Sequence, residues 1–410
     1  MPDTESEATW KARQNAVATS FRPGGFAFDR PSPMRLGIPS ETTPGERRVA
    51  LVPSVVPRIT ALGADLAMQA GAGAASLLAD EAYVAAGVTL VDAATLFATS
   101  GFICKVQPLT IQEVGLLNEG SGVVSYLQPT ADLDLIRALV DRRISAFSLD
   151  LLPRISRAQS MDVLSSQALV SGYRAVLLAA DHLPKFFPLY MTAAGTVPPA
   201  KVLVLGAGVA GLQAIATARR LGANVRAYDV RAAAKAEVKS LGAAFVELDL
   251  EAQEGEGGYA REQSEDFLRR QRELIGKEVA AADVVITTAA IPGRKAPVLV
   301  TAEMVHTMTL GSVIVDLAAE TGGNCELSRP GENLEVAGVT IIGAKNLPSS
   351  MPLHASFLYS RNIAEFLTLV VKEGAFAPDF DDEIIAGTCV THGGEVRHAP
   401  TRDLLQGGTQ

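Results

Sequence analysis

Cysteine is scarce in this chain: Cys104, Cys325 and Cys389 are the only three among 410 residues. They stand far apart and form no CxxC pair, which excludes a disulfide framework or structural zinc site and fits a reducing cytoplasm. Each reads as a small buried hydrophobe. Histidine is nearly as sparse. His182, His306, His354, His392 and His398 show no HxxxH spacing, so no metal site is expected. No stretch of about 18 residues runs free of charges and breakers, so no helix is expected to insert into a bilayer. The N-terminus has no apolar core behind basic residues and so no secretory signal. No GxSxG elbow occurs, and His392-Gly393-Gly394 therefore reads as a hairpin turn rather than an oxyanion loop. Basic charge does not prevail either: 36 Lys and Arg face 45 Asp and Glu, a net −9. Such a surface repels a phosphate backbone and argues against nucleic-acid partners.

What the chain does have is aliphatic bulk, with 48% hydrophobic but only 5% aromatic residues and a mean hydropathy of +0.21. Ala, Val and Leu spread along the sequence fit buried parallel strands under Ala-rich helices. Short apolar runs at Leu36–Ile38, Leu66–Gln69, Phe102–Val106, Val123–Leu127 and Ile144–Leu149 read as strands. Pro53–Leu62 and Leu133–Arg142 have helical spacing between them. After the punctuation Thr196-Val-Pro-Pro-Ala200, a second series begins, with strands expected at Val202–Leu205, Val225–Tyr228, Phe245–Glu247, Val284–Thr287, Val313–Asp316 and Thr340–Ile342. The alternation predicts an α/β fold of two Rossmann-like parallel sheets, the second with a full set of six strands. Leu353 to Lys372 reads as one amphipathic helix returning to the first domain, followed by a polar tail. Residues 1–33, broken by Pro23, Gly24, Gly25, Pro31 and Pro33, read as a disordered arm, with Met34 an alternative start.

The most informative motif is Gly206-Ala-Gly208-Val-Ala-Gly211, directly after an apolar strand and at a helix start. Gly206 permits the tight turn, Gly208 lets backbone approach a pyrophosphate, and Gly211 lets helix and strand pack closely. The helix N-terminus offers N–H groups and a positive dipole end to the phosphates. The next strand ends at Asp229, whose carboxylate suits the adenosine ribose hydroxyls and repels a 2′-phosphate. The cofactor expected is NAD(H) rather than NADP(H), with Arg231 able to soften that preference. Residues 251–272, with Gly255, Gly257, Gly258 and Tyr259, fit either a mobile loop with an aromatic tip or a solvated surface helix. Thr287-Thr-Ala-Ala-Ile-Pro-Gly293 follows a strand at the carboxyl edge, on the nicotinamide side. Pro153 to Ser166 fits either a capped helix start or polar groups lining an interdomain cleft.

Taken together, RVALVP (48–53), PRISRAQSMDVLSSQ (153–167), GAGVAGLQA (206–214), DVRAA (229–233), GGYA (257–260), TTAAIPG (287–293) and DLAAETGGNC (316–325) resemble one family over residues 34–400. It is the alanine dehydrogenase/transhydrogenase family, and the likeness is to the NAD(H)-binding component of split bacterial proton-translocating transhydrogenases. The resemblance implies a dimer with NAD(H) between two domains. The first spans 34–165 plus 350–395, the NAD(H)-binding Rossmann domain spans 166–349, and 396–410 form a tail. It also implies that Arg154, Gln159, Asp162 and Ser165 act at the nicotinamide ring, with Ile155 and Ser156 in the same segment. Tyr259 would close a lid. Val209, Asp229, Val230, Arg231, Gly258, Gln271 and Ala290 would join Gly206, Gly208 and Gly211 in holding the cofactor. The implied reaction is hydride transfer from NADH to NADP+ coupled to proton movement. NADP(H) would be held by a separate beta subunit. A second partner, the membrane portion of the split alpha subunit, would cross the bilayer, and this chain would lie on its inner face. In related alanine dehydrogenases a Lys and a His hold the amino or keto acid and move its proton. The matching positions here are Gln107 and Gln128, which shuttle no proton, while Arg48 is retained. One binding measurement checks the cofactor reading: the purified chain is expected to bind NADH more tightly than NADPH, and the reverse order would sink the Asp229 argument.

Overall fold

The computed structural model describes residues 34–247, 265–290 and 295–407. The arm 1–33 therefore lies outside the described residues. From Met34 onward, six strands come first: β1 Arg35–Ile38, β2 Asp65–Gln69, β3 Thr89–Val91, β4 Phe102–Cys104, β5 Gly122–Ser125 and β6 Ser145–Ser148. A small hairpin follows, β7 Tyr190–Thr192 and β8 Gly195–Val197. The second series comprises β9 Lys201–Leu205, β10 Asn224–Tyr228, β11 Ala244–Phe245, β12 Val284–Thr287, β13 Val313–Asp316, β14 Asn333–Val336 and β15 Val339–Gly343. The C-terminal segment adds β16 Val371–Lys372, β17 Ala375–Phe376, β18 Cys389–His392 and β19 Glu395–Val396.

Both large sheets have the doubly wound order. In the first, parallel strands run β3-β2-β1-β4-β5-β6; in the second they run β11-β10-β9-β12-β13-β15. Each carries antiparallel additions at one edge, β18 and β19 beside β6, and β14 beside β15. The strands are apolar on both sides because helices cover both faces. Along β9, Val202 and Val204 enter one core cluster while Leu203 and Leu205 enter another. Val123 and Val124 of β5 divide in the same way.

The strands missed in the sequence are β3, β14 and the C-terminal hairpins. The β14–β15 hairpin turns at Ala337 and Gly338, both with positive φ, and its first strand alternates polar and apolar residues at an edge. Residues 396–407 are not a mere tail. Ala399–Gln406 is helical, and buried Thr401 donates to the Pro129 carbonyl at 3.2 Å. His392-Gly393-Gly394 does form a hairpin turn, with φ of 61° and 91° at the glycines.

Four long helices complete the frame: α1 Val163–His182, α2 Val209–Arg220, α3 Glu265–Ala281 and α4 Pro352–Val370. By length and composition α1 is able to cross a membrane, contrary to the expectation that no segment qualifies. The apparent breakers, Gly172 and Arg174, lie within one unbroken helix. Here α1 links the cores: Val163 is buried in the first, while Ala175, Val176 and Ala179 are buried in the second. Helix α4 packs Tyr359, Ile363, Phe366, Leu367 and Val370 onto the first sheet, and ends where β16 begins rather than at Lys372.

The tightest helix contact is made by glycine. A Cβ at Gly172 of α1 would lie 2.1 Å from the carbonyl oxygen of Ala210 in α2. A side chain there must push the helices apart, so Gly172→Val is expected to cost about 1–3 kcal/mol, read as a lowered melting temperature. An unchanged melting temperature would contradict this packing.

Candidate functional site

Strand β9 ends at Leu205, and the chain turns sharply at Gly206, φ 101°. The Gly206 amide donates to the Tyr228 carbonyl at 2.8 Å. A Cβ at Gly206 would meet Thr288 Oγ1 at 2.6 Å, and one at Gly211 would meet the Gly206 carbonyl oxygen at 1.9 Å. Both positions therefore require glycine because backbone and neighbour are already in contact. Gly208 differs, since a Cβ there would meet nothing within 4 Å. It is the N-cap of α2 and supplies no side-chain acceptor. The helix N-terminus thus opens on free space with its N–H groups uncapped, the arrangement that receives a phosphate.

The second strand supplies the carboxylate. Asp229 Oδ2 accepts from Ala207 N at 2.7 Å and Oδ1 from Arg231 N at 2.8 Å. The Arg231 guanidinium closes on the same carboxylate at 3.0 and 3.1 Å and donates to the Ala207 carbonyl at 3.2 Å. Asp229 and Arg231 therefore form a pair around Ala207, with Val230 half-buried beside them. Gln271 of α3 is buried and donates to the Tyr228 hydroxyl at 3.0 Å. Burial raises that phenol above its usual range, against the Gln271 bond. Gln271 so fastens α3 to β10, and its side-chain amide is engaged there.

Between β9 and β12 lies the switch point of the sheet, where open α/β sheets bind ligands beyond the strand ends. Thr288 Oγ1 donates to the Gly206 carbonyl at 3.0 Å, joining the two strand ends. Ala290 is exposed just beyond. The loop after β13 is pinned by wholly buried Asp316, which accepts from Thr287 Oγ1, Ala318 N, Cys325 N and Ser328 Oγ. Gly258 and Tyr259, like residues 291–294, lie outside the described residues.

The Arg154–Ser165 segment is a 3-10 turn, Ser156–Met161, leading into a capped helix. Asp162 is the N-cap of α1: its carboxylate accepts from Ser165 N at 2.9 Å and from Ser165 Oγ at 2.5 Å. Of the two readings open in the sequence, the capped start is what these two residues make. Arg154, Ser156 and Gln159 are exposed, and Ile155 is half-buried against the first core. The turn is held from behind by Arg157 on Asp382, at 2.6 and 3.0 Å, and by Asn362 Nδ2 on the Ser160 carbonyl at 2.7 Å. Along α1, Asp162 stands about 15 Å from the Gly172 contact with α2.

In the first sheet the equivalent switch point, between β1 and β4, is filled by the protein itself. Glu41 accepts from Val106 N at 2.6 Å and Gln107 N at 3.1 Å, and burial pushes its carboxyl up to about 7. Beside it the Glu46 carboxylate, with no exposed side-chain surface, pairs with buried Arg48 through Nε at 2.9 Å and Nη2 at 2.7 Å. Gln107 Nε2, Asn346 Nδ2 and Ser349 Oγ also donate to Glu46, at 2.7, 2.9 and 3.1 Å. Arg48 continues to Gln167 of α1 and to Asn346, both at 3.0 Å. The guanidinium is thus a structural tie. Gln128, exposed at φ 46°, lies at the end of the β5 loop. Thr288, Glu46 and Asn346 were not singled out in the sequence; the available signal was a polar residue set within an otherwise apolar or Pro/Gly-rich stretch. Among the described residues no cluster of His, Cys, Asp or Glu is arranged to hold a metal.

The sequence matches the alanine dehydrogenase/PNT N-terminal domain over residues 37–171 and the C-terminal domain over 175–399. The chain belongs to the alanine dehydrogenase/PNT family. It is 48% identical to the first polypeptide of the split alpha subunit of NAD(P) transhydrogenase from Rhodospirillum rubrum, over 89% of this chain and 98% of that one. A solved transhydrogenase from Sinorhizobium meliloti matches with a TM-score of 0.79 and 43% identity, over 89% and 99% of the two chains. An L-alanine dehydrogenase structure matches with a TM-score of 0.77 at 25% identity, over 92% and 100%. The family implies NAD(H) binding and oxidoreductase chemistry.

The Glu46 pair sets a pH test. Burial alone would raise its carboxyl, but the Arg48 bonds and charge and the Gln107 bond lower it from 4.5 to about 2. A carboxyl depressed in the folded state contributes stability that is present above pH 4.5 and lost as pH falls toward 2. Glu46→Gln leaves Arg48 buried and unpaired, and is expected to cost about 3–5 kcal/mol at neutral pH. Denaturant unfolding at about pH 7 and about pH 3 should show the wild-type advantage shrinking in acid. An advantage that is constant with pH would contradict the pairing.

Proposed function

We propose that this chain is the NAD(H)-binding subunit of a proton-translocating transhydrogenase, taking part in hydride transfer from NADH to NADP+. The observation that carries the reading is the chemistry at Gln107. A dehydrogenase acting on an amino acid needs a group that takes up its proton, and Gln107 offers only an amide, already donating to Glu46. Hydride transfer between two nicotinamides needs no such group, only two rings held in contact with water excluded. The much higher identity to transhydrogenase subunits than to the alanine dehydrogenase structure supports the same side.

The residues present fit NAD(H): Gly208 leaves room before an uncapped helix N-terminus, and Asp229 stands at the end of the neighbouring strand. Bound NADH supplies the hydride. The N–H groups of Val209 and its neighbours hold the pyrophosphate, with Gly206 and Gly211 shaping the turn. Asp229, Val230 and Arg231 take the adenosine ribose, the Arg231 guanidinium giving way to the hydroxyls. Ala290 meets the nicotinamide half, while Arg154, Ile155, Ser156, Gln159, Asp162 and Ser165 approach the ring from the other domain. Gly258 and Tyr259 form the lid, and Gln271 braces its base. The two domains are those divided at residues 165 and 350.

NADP(H) sits on a separate beta subunit, and the membrane portion of the split alpha subunit, a polypeptide of its own, carries the protons. This chain lies peripherally on the inner, cytoplasmic face of the membrane. A homodimer is supported by the β7–β8 hairpin, whose exposed Tyr190, Met191 and Val197 continue from exposed Phe186 and Leu189. Mixing the purified chain with an NADP(H)-binding subunit should produce NADH-to-NADP+ hydride transfer. Gln159→Asn should slow that transfer roughly ten-fold or more while NADH still binds. NADH oxidation by the isolated chain with pyruvate and ammonia would overturn the reading in favour of an alanine-dehydrogenase-like enzyme.

A further inference from the structure

We propose that Asn324 is the positioning residue for the nicotinamide half of the nucleotide, acting through the peptide groups of Ala289. The inference rests on the reading of this crevice as an NAD(H) site.

Asn324 follows Gly322 and Gly323 in the loop after β13 and is completely buried. Its Oδ1 accepts from Ala289 N at 2.9 Å, while its Nδ2 donates to the Ala289 carbonyl at 2.8 Å and the Pro297 carbonyl at 2.8 Å. One side-chain amide thus grips both polar groups of Ala289 and also the far end of the segment that follows. The residue is itself anchored, since its own carbonyl accepts from Leu299 N at 2.8 Å and Val300 N at 2.9 Å.

Three consecutive residues at the end of β12 are therefore fixed from three directions. Thr287 is held by Asp316, Thr288 by the Gly206 turn, and Ala289 by Asn324. Ala290, the next residue, is exposed at the switch point. Its orientation toward a ligand is inherited from the Ala289 peptide, and through that from Asn324. The Asn324 amide bonds to backbone groups, so its effect on the ligand is indirect.

The amide is chemically specific to the task. It must accept once and donate twice within one plane. Aspartate keeps the acceptor but sets a carboxylate against two carbonyl oxygens. Alanine leaves an N–H and two carbonyls buried without this partner.

The test compares NADH with ADP-ribose, which lacks only the nicotinamide ring, by calorimetry on the full purified chain. In Asn324→Asp and Asn324→Ala the NADH affinity should fall roughly ten-fold, while ADP-ribose affinity stays within about two-fold of wild type. Equal losses for both ligands, or unchanged NADH affinity, would overturn the assignment. Should the aspartate variant fail to fold, Asn324→Ser, which keeps one small hydroxyl, gives the same comparison. A wild-type chain that binds neither ligand removes the nucleotide-site reading itself. Wild-type binding with NADH affinity unaltered in the variants removes only the role of Asn324.

Discussion

A carboxylate without exposed surface holds the two sheets in register. Glu46 collects donors from its own loop, from the exit of β4 and from the turn after β15, and its partner Arg48 reaches α1. A buried charge is tolerated only when its partners are complete, so these four stretches cannot move independently without leaving it bare. The positive φ of Asn346, 42°, fits this constraint: a strained backbone persists where surrounding contacts hold it. Everything proposed for a ligand between the sheets depends on that join.

The two sheets have the same strand order, yet their switch points differ in chemistry. At β1 and β4 the opening is filled by Glu41, whose carboxylate takes the backbone N–H groups that a ligand would otherwise meet. At β9 and β12 the corresponding space is left free before Gly208, and its walls are built of glycine because backbone already touches backbone. One architecture thus yields a closed crevice and an open one, decided by a few side chains.

Much of this was legible in the sequence, and the reasons are physical. Strands such as Val284–Thr287 and Val313–Asp316 stand out because a strand buried on both faces is an unbroken apolar run. The Gly206 turn and Asp229 stand out because phosphate and ribose demand fixed spacing. What stayed hidden depended on long-range pairing. Polar β14 becomes a strand only at the edge of β15, and Glu46 meets Asn346 across 300 residues. Asp162 and Ser165 were ambiguous because a carboxylate and hydroxyl three residues apart suit a helix cap and a ligand equally. Their mutual bonds make them a cap. The apparent conflict over α1 has a similar origin, since a helix wedged between two cores needs apolar residues all round much as a membrane helix does.

The C-terminal return of the chain bears on how the molecule is made. The second core draws its buried residues from one continuous run, Ala175 to Ile342. The first is assembled from Leu36 to Val163 and then from α4 onward, with β18 laid against β6. During synthesis, the nucleotide-fingerprint sheet has all its strands once Gly343 has emerged. The first sheet instead waits for the final stretch of chain to cover it, exposing apolar surface in the interval. The half made first is thus the half completed last.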